Sequence, residues 1–203
     1  GGFDAVILAK GGKTRRLQVP GGDSEQVLYA SDYLLGNRKA EGTRAVVIGG
    51  GVLGLEAAWE LKKAGLSVTV LEAAPMLMGR QLDATAGSIL EEISRKNGIA
   101  IHTGVSISSI DGDESGAVSG VSLSSGETFP ADLVIVSAGV RANTGLAQEM
   151  GLKTEKAVVV NSRMETGMKH IYACGDCAEY KGANFAIWPE ASEQGRVAGA
   201  NAA

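Results

Sequence analysis

The chain has 203 residues, 44% of them hydrophobic and 21% charged, with a formal net charge of −4. That balance fits a globular chain with enough apolar material for a real core, organised as one domain or two small ones. The acidic excess argues against a nucleic-acid or anionic-membrane partner, and no apolar run nears the roughly 20 residues of a membrane-spanning helix. With only two cysteines, no disulfide framework is implied and a reducing cytoplasm is the expected setting. The N-terminal stretch carries Asp4 and Lys10 and does not read as a signal peptide.

In chain order, Phe3–Ala9 reads as a strand, Lys10–Arg16 as a basic loop and Pro20-Gly21-Gly22-Asp23 as a turn. Thr43–Ile48 is an apolar strand that runs into Gly49-x-Gly51-x-x-Gly54. A helix over Val52–Ala64 follows, with Leu53, Ala57, Leu61 and Ala64 on its expected inner face and Gly65 as its cap. Ser67–Leu71 is the next strand, and Glu72 stands at its end, about 20 residues beyond the glycine turn. Each part has a mechanical reason. Gly49 permits the tight strand-to-helix turn, Gly51 lets the backbone approach a pyrophosphate, and Gly54 lets the helix lie close to the strand. The helix N-terminus presents unpaired N–H groups to the phosphates, while Glu72 is placed to accept both ribose hydroxyls. Strand, turn, helix, strand and acid in this order predict a dinucleotide-binding unit, with NAD preferred.

Further along, Asp83 caps a helix to about Lys96, with Ile89, Leu90 and Ile93 facing inward and Asn97-Gly98 as its stop. Ala100–His102, Val105–Ile110, Val118–Ser122 and Thr128–Phe129 are short β segments, the last two joined by a hairpin-type turn at Ser124–Glu127. They predict a small antiparallel meander used as a crossover. Asp132–Ser137 reads as a strand whose middle, Leu133–Val136, is continuously apolar, hence central and parallel. Ala157–Val160 and His170–Ala173 are two more strands, and Pro189–Ala202 is a terminal helix opened by proline. The fold class is therefore α/β, a Rossmann-like doubly wound parallel sheet with a meander crossover.

Four other segments carry the pattern beyond one such unit: Ala9-Lys10-Gly11-Gly12, Ser137–Thr144, Tyr172-Ala173-Cys174-Gly175-Asp176-Cys177-Ala178 and Trp188–Arg196. In order and spacing the whole set resembles the pyridine nucleotide–disulfide oxidoreductase superfamily, in particular NADH:rubredoxin oxidoreductases and the flavoprotein part of NADH-dependent nitrite reductase. The resemblance implies two cofactors, NAD and FAD, and hydride transfer from NADH to the flavin. Electrons then pass to a redox partner protein, a downstream redox domain or a small acceptor. It implies nucleotide contacts from Gly49, Gly51, Val52, Leu53, Gly54, Glu72 and Val105, with Gly139 along the nicotinamide approach. Glu56 is read equally as a nicotinamide neighbour or an ordinary helix residue, and Arg80 as an adenosine contact or a solvated loop arginine. Gly11, Gly175 and Asp176 would hold the flavin side of FAD. No catalytic side chain and no metal ligand is assigned, because the cofactors carry the chemistry.

Family members carry a first glycine-rich unit for the ADP half of FAD before the segment at Phe3, and an interface domain beyond the segment at Ala203. This chain has a single Gly-x-Gly-x-x-Gly. The expected division is 1–42 and 153–203 as remnants of an FAD domain and 43–152 as the NAD domain, with oligomerisation left to the C-terminal domain. Lys10 stands where the family has Thr, which weakens one flavin-side contact, and Ala142 stands where it has Pro. The rival reading is a non-catalytic NAD-sensing module. Cys174 and Cys177 form a Cys-x-x-Cys pair, but they bracket the Gly-Asp segment and read as structural. His102 and His170 fall on predicted strands without a partner motif, Trp188 reads as a packing residue, and Asp111–Glu114 as an exposed turn.

Overall fold

The computed structural model describes residues 2–203, which form two compact units: a central one, Thr14–Gly139, and a flanking one built from residues 2–13 and Val140–Ala203. In chain order the first elements are β1 (Val6–Leu8), β2 (Gly12–Thr14), β3 (Val27–Tyr29), α1 (Ala30–Leu34), β4 (Arg44–Ile48), α2 (Val52–Lys63) and β5 (Ser67–Glu72). Then come α3 (Ala84–Lys96), β6 (Ile99–Thr103), β7 (Ile107–Gly112), β8 (Val118–Leu123), β9 (Thr128–Pro130) and β10 (Leu133–Val136). The chain finishes with β11 (Val140–Ala142), α4 (Gly145–Glu149), β12 (Val158–Val160), β13 (Ile171–Ala173), β14 (Ala178–Tyr180) and α5 (Trp188–Ala202).

In the central unit a five-stranded parallel sheet runs in the order β3-β10-β4-β5-β6. Period-two alternation sorts its residues onto two buried faces. Ala45, Val47, Leu133 and Ile135 pack with Ala57, Ala58 and Leu61 of α2. Val46, Ile48, Val134 and Val136 pack with Ile110, Val121 and Leu123 of the antiparallel β7-β8-β9 meander. Because both faces are covered, β10 and all of β4 beyond Arg44 are apolar without interruption. At the start of these two strands Asp132 accepts hydrogen bonds from Thr43 N (2.9 Å) and Arg44 N (3.0 Å) and pairs with the Arg44 guanidinium. That ion pair, with the backbone donors, holds the Asp132 carboxyl far below the usual carboxylate range.

In the flanking unit β1 pairs in parallel with β13, and β12 with β14. Leu8, Val160, Tyr172 and Ala173 form its core with Ala198 of α5. Oε2 of buried Glu179 accepts from Lys156 N (2.7 Å) and Ala157 N (2.9 Å), which ties β14 to the turn before β12.

Several expectations need correction. Lys10–Arg16 is not wholly loop, since Gly12–Thr14 pairs with β11. The strand β3, the short helices α1 and α4, and β11 and β14 went unforeseen. Leu53 and Ala64 are exposed; the inner stripe of α2 is Gly54, Ala57, Ala58 and Leu61, because the helix docks through its smallest residues. Ile89 and Ile93 are likewise about half exposed, and α3 docks instead through Gly87, half-buried Leu90 and Ser94. A Cβ at Gly87 would stand 2.5 Å from Met76 Cε, so α3 lies against the Met76 side chain on that face. His170 precedes β13 in a turn with φ 62°. Trp188 is 80% exposed and packs against little within the chain. By compactness, residues 14–42 cluster with the central sheet and residues 140–152 with the flanking unit.

Candidate dinucleotide site

A cavity of about 820 Å³ lies at the carboxyl ends of β10, β4, β5 and β6. That is where an open α/β sheet receives ligands, and the volume is in the range of small-molecule and cofactor pockets. Its floor is the glycine turn. Gly49 has φ 113°, and a Cβ there would sit 2.4 Å from Ser137 O. A Cβ on Gly54 would fall 1.9 Å from Gly49 O, so only glycine lets α2 begin this close to β4. Gly51, by contrast, faces open space with no atom within 4 Å of a notional Cβ. It is the N-cap of α2, no side chain caps it, and no acid occupies the first turn. The α2 terminus therefore offers free N–H groups and a positive dipole end to an anion.

Glu72 braces this turn from β5. Its Oε2 accepts from Gly50 N (2.5 Å) and its Oε1 from Ala74 N (2.7 Å). Each carboxylate oxygen keeps a further lone pair for a ligand. The neighbouring loops are tied in the same way: Met78 N donates to Gly50 O (3.0 Å), Gly104 N to Ala74 O (2.8 Å) and Val105 N to Glu72 O (3.1 Å).

Of the residues singled out from sequence, Gly49, Gly51, Glu72, Arg80, Val105 and Gly139 all line this one cavity. Val52 and Leu53 occupy the first turn of α2 with exposed side chains, Gly54 is buried behind it, and Glu56 is exposed on the next turn; none of the four is a lining residue. In the flanking unit Gly11 follows β1, and Gly175 and Asp176 follow the adjacent parallel strand β13. Gly175 N donates to Gln194 Oε1 of α5 (2.8 Å), so the Gly-Asp turn and the proline-led helix stand together there. Cys174 and Cys177 are both buried free thiols. Cys177 Sγ donates to Cys174 O (3.3 Å) and Leu8 O (3.4 Å), and burial, then the neighbouring Cys177, pushes the Cys174 thiol upward.

Sequence reasoning missed one wall of the cavity, the segment carrying Arg15, Leu17 and Val19. The signal was present as a polar/apolar alternation ahead of the Pro-Gly-Gly turn, but it begins inside the basic, glycine-containing stretch Lys10–Arg16 that reads as loop.

The profile of the family described as pyridine nucleotide-disulphide oxidoreductase matches residues 2–195. The chain belongs to this family. Among its relatives, the nitrite reductase [NAD(P)H] of Bacillus subtilis is 38% identical over 200 residues, covering 96% of the chain and 24% of that protein. The rubredoxin-NAD(+) reductase of Pseudomonas putida is 36% identical, covering 87% of the chain and 46% of that protein. A solved FAD-dependent pyridine nucleotide-disulphide oxidoreductase from Desulfovibrio vulgaris superposes with a TM-score of 0.87 at 33% identity, over 98% of the chain and 54% of that structure. The chain thus spans between a quarter and about half the length of these relatives. Members of the pyridine nucleotide-disulphide oxidoreductase family work with FAD and a pyridine nucleotide. Among the described residues no helix is long and apolar enough to cross a membrane.

Proposed function

We propose that the central unit binds NADH and that, in the intact protein, it presents the nicotinamide for hydride transfer to FAD. The observation that carries the nucleotide assignment is the open, uncapped turn at Gly51 beside a braced acid, Glu72, within one cavity. The parts fit a dinucleotide: free N–H groups for the pyrophosphate and a carboxylate with spare lone pairs for the ribose diol. Gly139 would give the nicotinamide end a wall without a side chain. Gly11, Gly175 and Asp176 of the flanking unit are the residues that would hold the flavin side of FAD, with the N-terminus of α5 favouring negative charge nearby. FAD supplies the hydride acceptor and the means of passing electrons on singly. The chain's own residues bind, orient and exclude water. The acceptor is a redox protein, a downstream redox domain or a small molecule, of the kind named by the nitrite and rubredoxin reductase relatives.

Titration calorimetry with NADH, followed by anaerobic addition of NADH to the flavin-loaded intact protein, tests this reading. Nucleotide binding with bleaching of the flavin is the expected result. Binding without bleaching would favour the sensing module, and no binding would remove both.

A further inference from the structure

One wall of the cavity is a strap over residues 15–20, which precedes the β4-α2-β5 unit in the chain. Alternate residues of it, Arg15, Leu17 and Val19, line the cavity, whereas the exposed Arg16 and Gln18 do not. Leu17 and Val19 pack on the core beneath the meander. The strap is pinned at both ends. Arg15 N donates to Gly139 O (3.0 Å), and Ile110 N donates to Pro20 O (2.9 Å). Arg15 is therefore held in place at its backbone, on the flank of the cavity that follows β10. Among the described residues no carboxylate forms an ion pair with Arg15 or with Arg80.

Charge decides what such a residue is for. The α2 terminus offers a pyrophosphate N–H groups and about half a positive charge, which leaves a dianion largely uncompensated. The acid in the cavity, Glu72, has both oxygens engaged by Gly50 N and Ala74 N. The cavity's two arginines stand on different flanks. Arg80 follows Glu72 and the loop beyond β5, the ribose side. Arg15 is tied to Gly139, in the loop that touches the glycine turn where a Cβ on Gly49 would meet Ser137 O. We propose that Arg15 is the side-chain cation for the dinucleotide's pyrophosphate, engaging it from the nicotinamide side. The proposal rests on the nucleotide reading above.

The test uses the 203-residue chain, with NAD, ADP-ribose and AMP as calorimetric probes, because AMP carries only the adenosine-side phosphate. Arg15→Ala should weaken NAD and ADP-ribose by about tenfold or more, as expected for a lost charge-assisted contact. AMP affinity should stay within about twofold. Arg15→Lys should recover part of the loss, since it restores the charge without the planar fork. The dependence of log affinity on log salt should also become shallower in Arg15→Ala, which a purely structural effect would not produce. NAD affinity within about twofold of wild type in Arg15→Ala would overturn the proposal alone. Equal weakening of AMP would also overturn it, by placing the residue on the wrong side or in the fold. A wild-type chain that binds none of the three would overturn the nucleotide reading as well.

Discussion

Replacing Glu72 separates its two tasks. In the structure both carboxylate oxygens accept backbone hydrogen bonds, one from Gly50 in the glycine turn and one from Ala74 in its own loop. A hydrogen bond to a charged group contributes about 1.5–3 kcal/mol. Glu72 is half-buried, so water replaces part of what is lost, and Glu72→Ala should destabilise the central unit by about 1–3 kcal/mol. Its thermal midpoint should fall by about 2–4 °C for each kcal/mol. NAD should bind about 10–100-fold more weakly, since the ribose loses its acceptor and the phosphate turn loses its brace. NADP should be disfavoured in the wild type by like charge, since Ala73-Ala74-Pro75 supplies no cation directly after the acid. In Glu72→Ala that repulsion goes, but the slack turn should keep NADP from gaining its full worth. Calorimetry with both nucleotides, together with a melting curve, reads all three quantities. Unchanged stability with a full gain in NADP affinity would show that the brace does nothing, and equal affinities in the wild type would refute the selectivity argument itself.

Gly54→Ala should cost about 1–3 kcal/mol and weaken NAD, because its Cβ would fall 1.9 Å from Gly49 O and force α2 away from the turn; denaturant titration and calorimetry give both numbers. Asp132 has a depressed carboxyl in the fold, so its contribution is fully present above the unfolded value of about 3.9 and is lost as pH falls below that toward the folded value. Asp132→Asn should remove that acid-side component, so the gap in stability between variant and wild type should close at low pH; a gap independent of pH would contradict the assignment. Substituting Cys174 and Cys177 together by Ser should leave NADH-dependent flavin reduction in the intact protein within about tenfold, since both thiols are buried and the fold raises Cys174 rather than activating it. A loss of about a hundredfold or more with flavin retained would restore the redox reading.

The sequence made the central sheet and the glycine turn readable because their signals are local. Uninterrupted apolar runs at Ala45–Ile48 and Leu133–Val136 leave little choice but doubly covered strands. Asp83 is a cap whose carboxylate accepts from Ala86 N (2.8 Å), as its position ahead of the helix implied. Helix faces were less legible. Ile89 and Ile93 have the stronger apolar character, yet α3 docks where Gly87 allows contact with Met76, and that preference depends on a neighbour distant in the fold. For Arg15, Leu17 and Val19 the local alternation was readable, but not the surface that it faces. What makes them a cavity wall is hydrogen bonding to Gly139 and Ile110, far along the chain. The brace from Glu72 to Gly50 was invisible too, although Glu72 was singled out and Gly50 lies inside the glycine turn, because spacing alone does not tell a ligand contact from a backbone one.

The bond from Arg15 N to Gly139 O has a consequence for the order of folding. It joins the two ends of the central unit, so that unit closes on itself as it folds, using mostly contacts between neighbouring elements. The flanking unit has no such start, since β1 must find β13 across the whole intervening chain. Closing an unfolded loop of that length costs on the order of 4 kcal/mol in chain entropy. Once the central unit has folded, the loop is already shut at Arg15 and Gly139, and the remaining search is short. The central unit should therefore acquire hydrogen-exchange protection first, with β1 and β13 following only after it.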